Sequence, residues 1–125
     1  METSNVRVQG HRTRELPAAV KAALPKSGFL SYQLGLEEQP RPRLFDCGGV
    51  VIVAYERYFI RIQSTLMLTI VFSFQPEDSC SITLIAGGGK QGILMTDWGA
   101  EGSELQRGMG IVQEQARSLG MQVLT

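Results

Sequence analysis

Leu66-Met67-Leu68-Thr69-Ile70-Val71-Phe72-Ser73-Phe74, followed after a short turn by Cys80-Ser81-Ile82-Thr83-Leu84-Ile85-Ala86, decides the fold class of this chain. Leu66, Leu68, Ile70, Phe72 and Phe74 alternate with Met67, Thr69, Val71 and Ser73, the period of two that gives a strand one dry face. Cys80, Ile82, Leu84 and Ala86 repeat the pattern, and Pro76-Glu77-Asp78-Ser79 supplies the turn between them. The pair reads as an antiparallel hairpin at the centre of a sheet. Leu68, Ile70, Phe72, Ile82 and Leu84 are the expected core, on the face that helices cover.

Toward the N-terminus, residues 4–9 alternate weakly as a short strand that Gly10 ends. Thr13 is placed to cap the next segment, and Pro17 falls in its first turn, where a missing N–H costs little. Leu16, Ala19, Val20, Ala23 and Leu24 form one stripe of an amphipathic helix, closed by Pro25 and Gly28. Leu30, Tyr32, Leu34 and Leu36 alternate as a further strand. Residues 37–43, with Pro40 and Pro42, read as a stiff exposed connection. The β-branched run Val50–Tyr55 follows Gly48-Gly49, which suggests a bulge or bend. Residues 56–62 either continue that strand or break it around Arg57.

Toward the C-terminus, Ile93-Leu94-Met95 adds a short strand, and a closing helix starts near Ser103 with Leu105, Met109, Val112, Ala116 and Leu119 on one face. Gly108 and Gly110 inside it each cost roughly 1 kcal/mol relative to alanine, so either close packing on the sheet or a partner surface must explain them. Gly120 is a stop signal, and residues 121–124 return as an edge strand. The order predicts one α+β domain over residues 1–125. It is a two-layer sandwich of about five mostly antiparallel strands, with two helices on one face and a long C-terminal helix. A curved sheet wrapped around that helix, the helix-grip arrangement, has a comparable order and stays open.

The 125 residues suffice for a core without staples. An apolar fraction of 43% and a charged fraction of 19% are those of an ordinary soluble protein. Twelve basic and twelve acidic side chains cancel, which argues against a nucleic-acid partner. No apolar span is long enough to cross a bilayer and no signal peptide is evident, so a cytoplasmic protein is expected. Cys47 and Cys80 read as reduced thiols, Cys47 as a buried one, and a single histidine does not build a zinc site.

Three groups of residues invite chemistry. Gly87-Gly88-Gly89-Lys90 can curl backbone N–H groups around an anion beside a lysine. It lacks the entry into a helix that the nucleotide-binding loop needs, and a strand end with positive φ is the plainer account. Asp97 and Glu101 straddle Trp98, and Glu104 follows. Paired carboxylates beside a ring suit acid–base work, yet acids before a helix also complement its dipole. Tyr55, Glu56, Arg57 and Tyr58 form the densest polar-aromatic group on a strand, as a cross-strand salt bridge or a ligand-facing pair. His11 has no catalytic neighbour in sequence and reads as a surface histidine.

Phe45-Asp46-Cys47-Gly48-Gly49, Tyr55-Glu56-Arg57-Tyr58, Gly87-Gly88-Gly89 and Asp97-Trp98-Gly99-Ala100-Glu101 together resemble the pattern of a small bacterial family of unknown function, from Phe45 onwards. The resemblance implies a compact cytoplasmic domain and carries no catalytic residues with it.

The expected function is a non-enzymatic binding or self-association module, a homodimer, without cofactor or metal. The basis is the absence of a catalytic constellation, the methionines Met67, Met95, Met109 and Met121, and an edge strand. The alternative is a small apolar or anionic ligand held between sheet and last helix, with Arg57, Gly87, Gly88, Gly89, Lys90, Asp97, Trp98 and Glu101 at the mouth. A cavity lined by Tyr32, Tyr55 and Leu68 would favour it. An enzyme using Asp97 or Glu101 is the third reading.

Overall fold

A computed structural model describes residues 1–26, 41–59, 64–89 and 100–124. Strand β1 (Glu2–Gln9) leads through a 3-10 turn (Thr13–Glu15) into helix α1 (Leu16–Ala23) and a second 3-10 turn (Leu24–Lys26). Strands β2 (Arg43–Asp46), β3 (Val50–Phe59), β4 (Ser64–Gln75) and β5 (Ser79–Gly89) follow, then helix α2 (Ala100–Ser118) and strand β6 (Gln122–Leu124). The sheet runs β2-β3-β4-β5-β1-β6, every neighbouring pair antiparallel. This is the α+β two-layer sandwich, with the β4–β5 hairpin as its middle pair.

Register carries the dry face across the sheet in rows. Val51, Phe72, Ile82 and Val6 stand side by side, as do Val53, Ile70 and Leu84, and Tyr55, Leu68 and Ala86. All ten are buried, and Leu16, Val20, Leu24, Leu105, Val112 and Ala116 join them in one core cluster. The five core residues expected from the hairpin are each at most 1% exposed. Both helices therefore cover the same face of the sheet.

Several local expectations change. Thr13 is buried within the 3-10 turn, and neither that turn nor α1 has a side-chain capping bond at its start. The chain entering α1 is already helical there, so no cap is required. Arg43–Asp46 is a strand and not the end of a connection; at a sheet edge only Leu44 packs inward, too little for a visible alternation. Gly48-Gly49 makes the β2–β3 hairpin tip: Gly48 has φ +88°, and its N–H donates to Asp46 Oδ1 at 2.9 Å. Cys47 on that tip is exposed, not buried, because the tip reaches past the core. β3 runs without a break through Arg57, held by β4 along its whole length. Gly87 to Gly89 extend β5 in register with Met67 to Thr65, so the strand-end reading of the run begins later than Gly87. The expected strands at 30–36 and 93–95 lie outside the described residues.

Helix α2 starts at Ala100, three residues before the sequence pattern places it. It ends in a Schellman motif, with Gly120 at φ +79° and Met121 N–H bonded to Ala116 O at 2.9 Å. The two internal glycines separate. A Cβ on Gly108 would stand 2.7 Å from Leu68 Cδ2 and 3.2 Å from Leu84 Cδ2, both fully buried. One on Gly110 would meet nothing within 4 Å. Gly108→Ala is therefore expected to lose about 1 kcal/mol net, overpacking outweighing helix propensity, and Gly110→Ala to gain about 1 kcal/mol. Denaturant unfolding of both variants checks this; equal shifts would show that helix and sheet are not in close contact at Gly108.

Candidate functional site

Two regions of the molecule stand out chemically. The first lies between α2 and the sheet. Tyr55 on β3 is 1% exposed, and the Arg107 guanidinium sits 5.2 Å from its ring centroid. Arg107 Nη2 donates to Glu104 Oε2 at 2.9 Å, Nε to Oε1 at 3.3 Å, and Nη1 to the Leu24 carbonyl at 3.4 Å. Glu104 is buried, and burying a carboxylate is costly unless a cation and hydrogen bonds satisfy it. The i, i+3 spacing on one helix supplies that cation in a two-pronged grip. The Leu24 carbonyl lies just past the end of α1, where a positive charge is favoured. Arg107 thus ties α1, α2 and β3 together.

Glu104 was expected to complement the dipole of a helix start; it is instead a buried partner of Arg107. Arg107 was not among the expected site residues. The one available signal was the Glu104-x-x-Arg107 spacing, which by itself describes any solvated helix face. Of the expected residues, Arg57 occupies the β3 position opposite Leu66, and Gly87, Gly88 and Gly89 lie opposite Met67, Leu66 and Thr65. Glu101 belongs to the first turn of α2. Lys90, Asp97 and Trp98 lie outside the described residues, as does Tyr32. The pairing of Phe59 with Ser64 and of Thr65 with Gly89 brings the strand ends flanking several of these residues to one end of the sheet.

The second region is the sheet face that the helices leave open. Register sets Phe45, Ile52, Val71, Thr83 and Asn5 in one row and Arg43, Ala54, Thr69, Ile85 and Thr3 in the next. Glu56, Met67 and Gly87 continue the face on one side; Val50, Ser73, Ser81, Arg7 and Leu124 bound it on the other. Among the described residues, the large apolar side chains left exposed are Met1, Phe45 and Met67, at 83%, 48% and 42%. Two of these three stand on this face, with Ile52, Val71 and Ile85 half-buried between them. Met109 and Met121 do not belong to any free surface: Met109 packs against the core and Met121 is buried in it.

The far end of the sheet is structural. His11 is exposed and bonds Asp78 Oδ2 at 2.8 Å. Arg14 lies 4.2 Å from the Phe74 ring centroid and donates to Gly48 O at 3.0 Å. Burial pushes the Cys80 thiol up to about 12, with the Arg14 charge and a Ser73 backbone hydrogen bond opposing it. Neither cysteine forms a disulfide. Among the described residues no three His, Cys, Asp or Glu side chains group to hold a metal, and no helix is long and apolar enough to cross a membrane.

Comparison with curated proteins finds no match. A family model does match, over residues 2–115, so the likeness read from Phe45 onwards extends back through α1 to β1. That coverage, from the first residue of β1 into α2, makes the chain a member of the family of unknown function DUF6054.

Proposed function

We propose that the protein is a non-enzymatic self-association module whose open sheet face docks a second copy. The observation that supports this reading most is the exposure of Phe45 and Met67 on one face together with the half-buried Ile52, Val71 and Ile85. Contiguous apolar surface of this kind marks an interaction site. The six strands are 8, 4, 10, 12, 11 and 3 residues long in chain order, and at spacings of about 4.8 Å they present a face of about 750 Å² per copy, close to the roughly 800 Å² each partner gives a stable interface. The edges are less suited: β2 and β6, the outermost strands, have four and three residues, and short edges discourage strand addition. Two unpaired thiols support a reducing, cytoplasmic setting.

Light scattering at tens of micromolar is expected to give the mass of a dimer, and a monomer mass would overturn the reading. Met67→Asp is expected to raise the dimer dissociation constant at least tenfold, because it desolvates a charge without a partner. The side chain is exposed, so circular dichroism should show an unchanged fold.

A second reading is supported by the β3, β4 and β5 ends that meet at one end of the sheet. A small anionic or apolar ligand is proposed there, beside the β3 segment that carries Arg57 and the β5 segment Gly87, Gly88 and Gly89; Lys90, Asp97 and Trp98 lie outside the described residues. A ligand of the native state raises its melting temperature. Phosphate and carboxylate compounds are expected to do so for the wild type and much less for Lys90→Ala. No shift with any of them removes this reading.

A further inference from the structure

The open face is large on one side and hollow on the other. Phe45 projects at the β2 edge, while a shallow depression of about 400 Å³, lined by Asn5, Val6, Arg7, Ser81, Ile82 and Leu124, lies across β5, β1 and β6. Thr83 Oγ1 donates to Asn5 Oδ1 at 2.9 Å, which holds one wall of it. Resting on the self-association reading, we infer that two copies pack face to face about a two-fold axis along β4, each seating its Phe45 in the other's depression.

The topology makes this arrangement self-complementary. β4 is midway between β2 and β1 in the sheet, so an axis along it exchanges β2 with β1 and β3 with β5. Row positions along the strands are kept. Phe45 and Asn5 share a row, and the exchange carries Phe45 of one copy over Asn5 of the other. Aligned sheets cross at about 30°, which shifts a strand two places from the axis by about 5 Å. That is within the roughly 7 Å between Asn5 and Arg7 on one strand. In the same exchange Ile52 faces the smaller Thr83, and Ile85 faces Ala54. Val71 and Met67 lie near the axis and meet their own copies. Arg7 at the rim can stack its guanidinium on the incoming ring. Large side chains meet small ones or a hollow at each of these off-axis positions, as packing without voids requires.

The test uses the 125-residue chain carrying Cys47→Ser, so that the exposed native thiol does not react, with the buried Cys80 retained. One preparation carries Arg43→Cys and the other Thr3→Cys, exposed positions of one row on β2 and β1 that the exchange brings face to face while Phe45 is kept. Mixed and treated with a short bifunctional maleimide, they are expected to give a cross-linked dimer at least fivefold above the mixture of Arg43→Cys with Glu77→Cys. In parallel, Phe45→Ala is expected to weaken dimerisation at least tenfold and Phe45→Trp to retain it. A wild-type dimer that shows neither the cross-link nor sensitivity to Phe45→Ala overturns the seating of Phe45 while leaving self-association intact. A wild-type monomer overturns both.

Discussion

Phe72→Ala is expected to lower the free energy of unfolding by about 3–5 kcal/mol. Phe72 is fully buried in the middle pair of strands, between Val51 on β3 and Ile82 on β5. Truncation removes the transfer energy of the ring and leaves a cavity in a rigid sheet that collapses poorly. Denaturant titration checks it, and the midpoint should fall without a change in slope. A loss under about 1 kcal/mol would show that the covered face of the hairpin is not the core.

The second large effect concerns the ion pair inside the helix–sheet layer. Arg107→Ala is expected to cost about 2 kcal/mol, below the 3–5 kcal/mol of a fully buried pair because solvent still reaches Arg107. The Arg107 side chain is 20% exposed and that of Glu104 4%. The loss has two sources, a buried Glu104 deprived of the guanidinium and a severed tie between α2 and the Leu24 carbonyl. A double-mutant cycle with Glu104→Ala isolates the pair and is expected to give a coupling of about 1 kcal/mol. That coupling should persist in 1 M salt, where a surface pair would be screened. A coupling that vanishes in salt would place the pair in solvent and leave Arg107 without its role as a tie.

Much of the fold follows from side chains close together in sequence. Leu68, Ile70 and Phe72 repeat at the period of a strand, and Leu105, Met109, Val112 and Ala116 at that of a helix. Each such pattern forces one face of its own element into the core whatever the partner. β2 escaped this logic because an edge strand of four residues half-buries only Leu44. Its pairing partner, not its own pattern, makes it a strand. Cys47 was misplaced for a related reason: a thiol's burial depends on how far the hairpin tip projects, and neighbouring residues do not encode that distance.

The candidate sites divide the same way. Glu104 and Arg107 stand at helix spacing in the sequence, but whether such a pair is solvated or buried depends on Tyr55 and Leu24, and Leu24 reaches Arg107 from 83 residues away. Gly108 and Gly110 look alike in sequence; only the approach of Leu68 and Leu84 gives one of them a packing role. The sequence alone determined a hairpin-centred α+β sandwich, since hydrophobic periodicity is local and a face with that periodicity must be covered. The tertiary structure decided which face stayed open, that Phe45 and Met67 lie together on it, and that a hollow lies opposite Phe45. These depend on strand order and register, which join residues far apart in the chain and so leave no local trace.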